Sequence, residues 1–145
     1  MHPNLQGFQP VTALMARIVE SGNQYPRVRL AYGDAPLVLT LNGAKSKAPG
    51  AVTLTDGKPF GQSLYLGKIT VAGNFEPAPA ARTLSADSKA KLWAILARLK
   101  GGEAESVFAE HGKLFGVCCM CGRDLTNTES VDLGMGPICR ERAFG

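Results

Sequence analysis

Three cysteines near the end of this 145-residue chain carry its clearest chemistry. Cys118 and Cys121 stand in a Cys-x-x-Cys-Gly-Arg run completed by Gly122 and Arg123. Cys139 closes a Gly-x-Gly-Pro-x-Cys run with Gly134, Gly136 and Pro137. Two thiolates separated by two residues can grip one tetrahedral ion, because a tight turn aims both sulfurs inward. The glycine after the second cysteine relieves crowding where backbone amides turn toward sulfur. Pro137 suits the first position of a terminal helix running to about Phe144. Cys139 then falls in that helix's first turn, where the dipole favours a thiolate. A two-cysteine knuckle, a hairpin or turn, and a helix bearing a third cysteine make a zinc-knuckle, treble-clef-like module. Zn2+ is the expected ion.

A closed structural zinc site needs four donors. One turn beyond Cys139 the residue is Arg142, which binds no metal. Cys119 is a spare thiol, but its neighbour Cys118 already points inward. His111, upstream of the knuckle, is the first candidate for the fourth donor, ahead of Asp132, Asp124 and a water. Without a metal, the cysteines would pack as small buried apolar groups. A thioredoxin-like redox role is disfavoured, since no βαβ unit carries the Cys-x-x-Cys.

Catalysis finds little footing. The chain has no phosphate-binding Gly-x-x-x-x-Gly-Lys-[Ser/Thr] loop, no His-Glu-x-x-His and no Gly-x-Ser-x-Gly. Only His2 and His111 offer imidazoles. A Cys119–histidine nucleophile is conceivable, but the surrounding cysteines have a better use as ligands. The expectation is a protein that is not an enzyme.

The elements that must position these residues can be read from periodicity. The length fits one domain, or one domain with a small appendage. An apolar content of 45% with 19% charged residues marks a globular chain. No apolar run approaches the roughly 18 residues of a membrane span. The first residues lack the pattern of a secretory signal, so a cytoplasmic setting is expected, where clustered cysteines point to metal more than to disulfides. Val11, Leu14, Met15, Ile18 and Val19 form one helix stripe over residues 10–21, opened by Pro10 and closed by Gly22-Asn23. Alternating segments follow: Val28, Leu30 and Tyr32; Leu37, Leu39 and Leu41; Val52 and Leu54; Leu64, Leu66, Ile69 and Val71. Turn signals stand at Asp56-Gly57 and Gly73-Asn74, and Gly67 reads as a bulge. Residues 76–83, rich in Pro and Ala, read as an extended connector. Ser85 or Asp87 caps a helix whose stripe is Leu92, Trp93, Ile95, Leu96 and Leu99, ended by Gly101-Gly102. A shorter helix at about 103–111 precedes the cysteines. The fold class is α+β: a small antiparallel sheet with flanking helices, then the cysteine module. Residues 1–83 form the helix-plus-sheet part, and residues 84–145 the helical and cysteine-rich part.

Charge is divided unevenly between these parts. Residues 1–83 hold 8 Lys/Arg against 4 Asp/Glu, whereas residues 84–145 hold 8 of each, so the whole net charge of +4 belongs to the first part. Lys45, Lys47, Lys58 and Lys68 cluster around Phe60 and Tyr65, with Arg27 and Arg29 on the polar face of a strand. Lysines that meet phosphates, beside aromatics that stack on bases, make a usable single-strand surface. A second basic spot is Arg123, Arg140 and Arg142 around the cysteines. Two partners fit: nucleic acid, single-stranded above all, or a host protein whose activity is inhibited or redirected.

At the cysteines the chain resembles a domain family of unknown function common in bacteriophage proteins and attached to some helicase-like proteins. The resemblance runs through Gly116, Cys118, Cys121, Gly122, Arg123, Leu125, Thr126, Ser130, Gly134, Gly136, Pro137 and Cys139, and covers residues 112–145 closely. Upstream, Ala48-Pro49-Gly50 and Leu64-Tyr65-Leu66-Gly67-Lys68-Ile69 look like a segment that often precedes it. The resemblance implies a zinc-binding module, often presumed to touch DNA or RNA, and a phage origin. It implies no established activity.

Overall fold

The computed structural model describes residues 5–20, 27–31, 37–56 and 63–145. Helix α1 (Gln9–Glu20) comes first. Five strands follow: β1 (Arg27–Leu30), β2 (Leu37–Leu41), β3 (Val52–Thr55), β4 (Tyr65–Ile69) and β5 (Phe75–Pro77). The chain ends in helices α2 (Pro79–Arg82), α3 (Ala86–Lys100), α4 (Ala104–Phe115), α5 (Thr128–Leu133) and α6 (Pro137–Phe144). The strands form one antiparallel sheet in the order β1-β2-β3-β4-β5, so the chain is α+β, as expected from its periodicity. Among the described residues no helix is long and apolar enough to cross a membrane.

Register sorts the strands' side chains onto two faces. Val28, Leu39 and Leu54 stand opposite one another, and Leu41, Val52, Ile69 and Phe75 make a second row. This apolar face joins Met15 and Ile18 of α1, Leu92, Leu96 and Leu99 of α3, and Val107 and Phe108 of α4 in one buried cluster. The cluster continues through Cys118, Cys119, Met135 and Cys139, so both parts of the chain contribute to it. The opposite face carries the row Arg27, Thr40, Thr53, Lys68 and Glu76. Period-2 alternation in the sequence follows from this division, because one face is covered and the other is polar.

The expected bulge lies at Gly67, where the β3–β4 register shifts between Leu54 and Thr55. Gly67 has a φ of 140°, and a Cβ there would meet the Glu76 carbonyl and the Phe75 ring. Glycine alone fits both the dihedral and the space. Ser85 caps α3, its Oγ accepting the Ser88 N–H at 3.1 Å.

Three expectations need correction. Residues 76–83 are not an extended connector: they complete β5 and form the short helix α2. Pro77 ends an edge strand and Pro79 takes the first helical turn, two places where a missing N–H costs nothing. The buried side chains of Phe75 and Ala81 hold this stretch to the core. Helix α4 also runs past His111 to Phe115, with Gly112 inside it. Val71 lies in a turn beyond β4 and is exposed. Tyr32, Gly22-Asn23 and Gly57 lie outside the described residues.

Phe75 is the aromatic hub of the core, edge-on to Phe8 at 6.3 Å and to Trp93 at 5.6 Å between ring centroids. It joins β5 to the N-terminal segment and to α3. Phe75→Ala is expected to cost ~3–5 kcal/mol of unfolding free energy in urea titrations, because the cavity cannot collapse between three elements.

Candidate metal centre

The cysteine module is built by short-range hydrogen bonds and two glycine contacts. Helix α4 ends at Gly116, whose φ of 72° is left-handed and whose N–H reaches the Gly112 carbonyl at 2.8 Å. The knuckle follows. Val117 and Asp124 form an antiparallel bridge. The Cys118 N–H donates to the Arg123 carbonyl at 2.9 Å, and the Gly122 N–H returns to the Cys118 carbonyl at 3.0 Å. Gly122, at a φ of 74°, makes the reversal after the second cysteine. Asn127 then caps α5, its Oδ1 accepting the Ser130 N–H at 2.8 Å. Helix α5, not a β-hairpin, therefore lies between the knuckle and the last helix. Pro137 opens α6 and puts Cys139 in the first turn, as the motif implies.

The position of α6 depends on how closely α5 and its following turn approach α4. A Cβ on Gly112 would collide with the Gly134 carbonyl, and one on Gly134 with the Ala109 carbonyl. Gly134 also has a left-handed φ of 72°. Backbone therefore touches backbone, which brings Cys139 down onto the knuckle.

The result is a group of three sulfurs. The Sγ atoms of Cys118, Cys121 and Cys139 all lie within 4.8 Å of one another. Tetrahedral zinc with Zn–S bonds near ~2.3 Å sets sulfurs about 3.8 Å apart, so the trio suits one shared ion after a small inward adjustment. Cys118 and Cys139 are buried and Cys121 is exposed. Proton positions within the group are uneven. Hydrogen bonds from the Cys119 and Cys139 thiols, helped by the backbone amides of Cys121 and Gly136, hold the Cys118 thiol far below its ordinary range. The Cys119 and Cys139 thiols are pushed far up, first by their bonds to Cys118 and then by burial. A dication would displace the thiol protons and could take all three sulfurs as ligands.

Cys119 is not a free reactive thiol but a fully buried core residue. Its carbonyl accepts the Arg29 N–H at 2.9 Å, tying the knuckle to the outer edge of β1. His111 is also buried, at 3% exposure, with its ring 4.9 Å from that of Phe115. It is not one of the three grouped ligands, yet neither ring nitrogen has a hydrogen-bond partner. Burial, and then the charge of Arg29, lower its pKa below the ordinary 6.5. Asp124 and Asp132 are exposed and stand outside the group as well.

The basic residues divide into two sets. Arg27 and Arg29 of β1, Arg123 of the knuckle and Arg142 of α6 line one groove of about 990 Å³, into which all three grouped cysteines open. Lys45 and Lys47 are exposed on the β2–β3 loop, outside that lining. Lys68 shares the polar sheet face with Arg27 but pairs with Glu76 at 3.8 Å. Tyr65 is exposed, opposite Thr55. Lys58 and Phe60 lie outside the described residues. The spot of Arg123, Arg140 and Arg142 is split, because Arg140 binds Glu105 at 2.8 Å. The merging of Arg142 with Arg27 and Arg29 is not visible in the sequence, where more than a hundred residues separate them.

An α+β protein with a knuckle-and-helix centre of three cysteines is the class that this fold and site define. Residues 108–144, which include His111 and all four cysteines, match the model of a family of unknown function, DUF6011. Neither curated proteins nor solved structures gave a match to the chain.

Two outcomes are expected here. Gly134→Ala combines a strained dihedral with a backbone collision, and should lower stability by roughly 2–4 kcal/mol in urea titrations. His111, kept neutral by burial, contributes stability that is complete above its unfolded pKa of about 6.5 and is lost as pH falls through its lower folded pKa. Urea midpoints of the metal-free proteins from pH 7.5 down to pH 5 should therefore decline less steeply in His111→Phe than in the parent protein.

Proposed function

We propose that the chain is a small, non-catalytic zinc-binding protein that associates with nucleic acid, single strands above all. Zinc is the natural occupant of a site of three grouped cysteines formed by a knuckle and a helix. Cys118, Cys121 and Cys139 would hold it. His111 is the best fourth donor among the described residues, because coordination would give its orphaned buried nitrogen a partner. Bound there, zinc supplies structural cross-linking of α6 to the knuckle. The observation that carries the nucleic-acid reading is the alignment of Arg27, Arg29, Arg123 and Arg142 along one groove. Phage origin and a cytoplasmic setting rest on the sequence resemblance and composition.

A second reading, a module that inhibits or redirects a host enzyme, draws support from apolar side chains left in solvent. Leu114 and Ile138 are 66% and 67% exposed.

Elemental analysis of untagged protein tests the metal directly. About one zinc per chain is expected, and Cys139→Ser should abolish it together with the cooperative unfolding of residues 112–145. Protein free of metal after purification in zinc-supplemented buffer would refute the zinc reading. For the partner, affinity for a single-stranded oligonucleotide at ~50 mM salt is expected to weaken steeply by ~200 mM. Absence of oligonucleotide binding, with capture of one protein from nuclease-treated lysate, would establish the second reading instead.

A further inference from the structure

We infer that the groove between β1, the knuckle and α6 binds the sugar–phosphate backbone of a short single strand, and that metal ligation is needed to form it. This rests on the nucleic-acid reading above. It moves the contact surface away from the lysine-bearing loops that the sequence favoured.

Charge pairing separates three of the groove's arginines, Arg27, Arg29 and Arg123, from others in the chain. Arg98 binds Glu103 and Glu110, and Arg140 binds Glu105. Among the described residues no carboxylate pairs with Arg27, Arg29 or Arg123. Like charges held together beside a cavity raise the local potential and call for an anion. Guanidinium groups present planar, forked donors suited to phosphate oxygens. The groove's volume of about 990 Å³ is at the upper end of the ~300–1,000 Å³ typical of small-ligand pockets, which is room for more than one phosphate. Its remaining lining includes Met120, Pro137 and Ile138, which offer apolar surface for base faces, and a single carboxylate, Asp124, against the four arginines. A recess bounded by a sheet face on one side and the knuckle and helix on the other admits a single strand more readily than a duplex.

The metal requirement follows from where the arginines sit. Arg27 and Arg29 are held by the sheet. Arg123 follows Cys121 by two residues, and Arg142 lies one helical turn beyond Cys139. Helix α6 has 8 residues, too few to persist alone in water, and apart from Cys139 it is held by Phe144 edge-on to Phe108 and by Arg140 on Glu105. Linking Cys139 to Cys118 and Cys121 through one ion would add the tie between this helix and the knuckle that fixes the arginine-bearing wall against β1.

The test is fluorescence anisotropy of the zinc-loaded protein with labelled oligo(dT) and oligo(rU) of about twelve nucleotides. The proteins are the parent, Arg29→Gln/Arg142→Gln, Arg123→Gln, the loop variant Lys45→Gln/Lys47→Gln and a single-charge control, Lys91→Gln on α3. Zinc content and the urea midpoint are checked for each. With four phosphate contacts and a slope near −0.7 each, parent affinity should fall roughly fifty-fold between 50 and 200 mM salt. The double variant should lose at least about tenfold. Arg123→Gln should lose several-fold and reduce the salt slope by about 0.7, while Lys91→Gln stays within about twofold. Chelation should abolish binding. If the parent binds but the groove variants match it, or Lys45→Gln/Lys47→Gln loses affinity in their place, the inference is overturned and the nucleic-acid reading stands. Equal binding after chelation overturns the metal requirement. If the parent binds neither oligonucleotide at 50 mM salt, the nucleic-acid reading itself falls.

Discussion

Three cysteine sulfurs within 4.8 Å of one another are the constraint from which the rest of the C-terminal structure follows. Three thiolates at that spacing would repel strongly, and three neutral thiols gain little beyond ordinary packing. Sharing of protons, which favours Cys118 as the thiolate, is one resolution. A dication is the stronger one, since it satisfies every sulfur at once. The glycines serve the same end. Gly112 and Gly134 let α4 and the α5–α6 turn meet backbone to backbone, and Gly122 turns the knuckle so that two sulfurs converge.

The module is also a cover for the sheet. β1 is the outermost strand, and an outermost strand leaves N–H groups open to pairing with other chains. The Arg29 N–H is taken by the Cys119 carbonyl, and the buried side chains of Cys119 and Met135 extend the core past that edge. One short segment therefore presents two of the three grouped sulfurs, protects an edge and places Arg123 beside Arg27 and Arg29. His111 lies at this junction, on the helix that packs against β1, and is electrostatically sensitive to both Arg29 and Cys118.

Features set by local chemistry were legible in the sequence. Pro137 at the start of α6, Cys139 in its first turn, the Ser85 cap and the Gly67 bulge each depend on a few neighbouring residues. The apolar stripe of α1 and the alternation of β1 to β4 were legible because each element buries one face. Features set by distant partners were not. The Pro/Ala stretch at 76–83 reads as a linker until Phe75 is seen to pack between Phe8 and Trp93. The helix expected at about 103–111 stops short of Gly112 because nothing local reveals that Gly134 occupies the space of that glycine's missing Cβ. Arg142 reads as a failed metal ligand, since only the fold sets it across a groove from β1.

The most direct measurement is amide hydrogen exchange by NMR on the zinc-loaded and chelated protein, followed at Arg29, Cys118, Gly122 and Leu54. If metal ligation holds the knuckle and α6 against the sheet edge, chelation should cost the first three amides most of their protection, while Leu54, in the middle strand, keeps its own. Identical exchange at Arg29, Cys118 and Gly122 in the two states would contradict the account, and would make the cysteines core residues that need no ion.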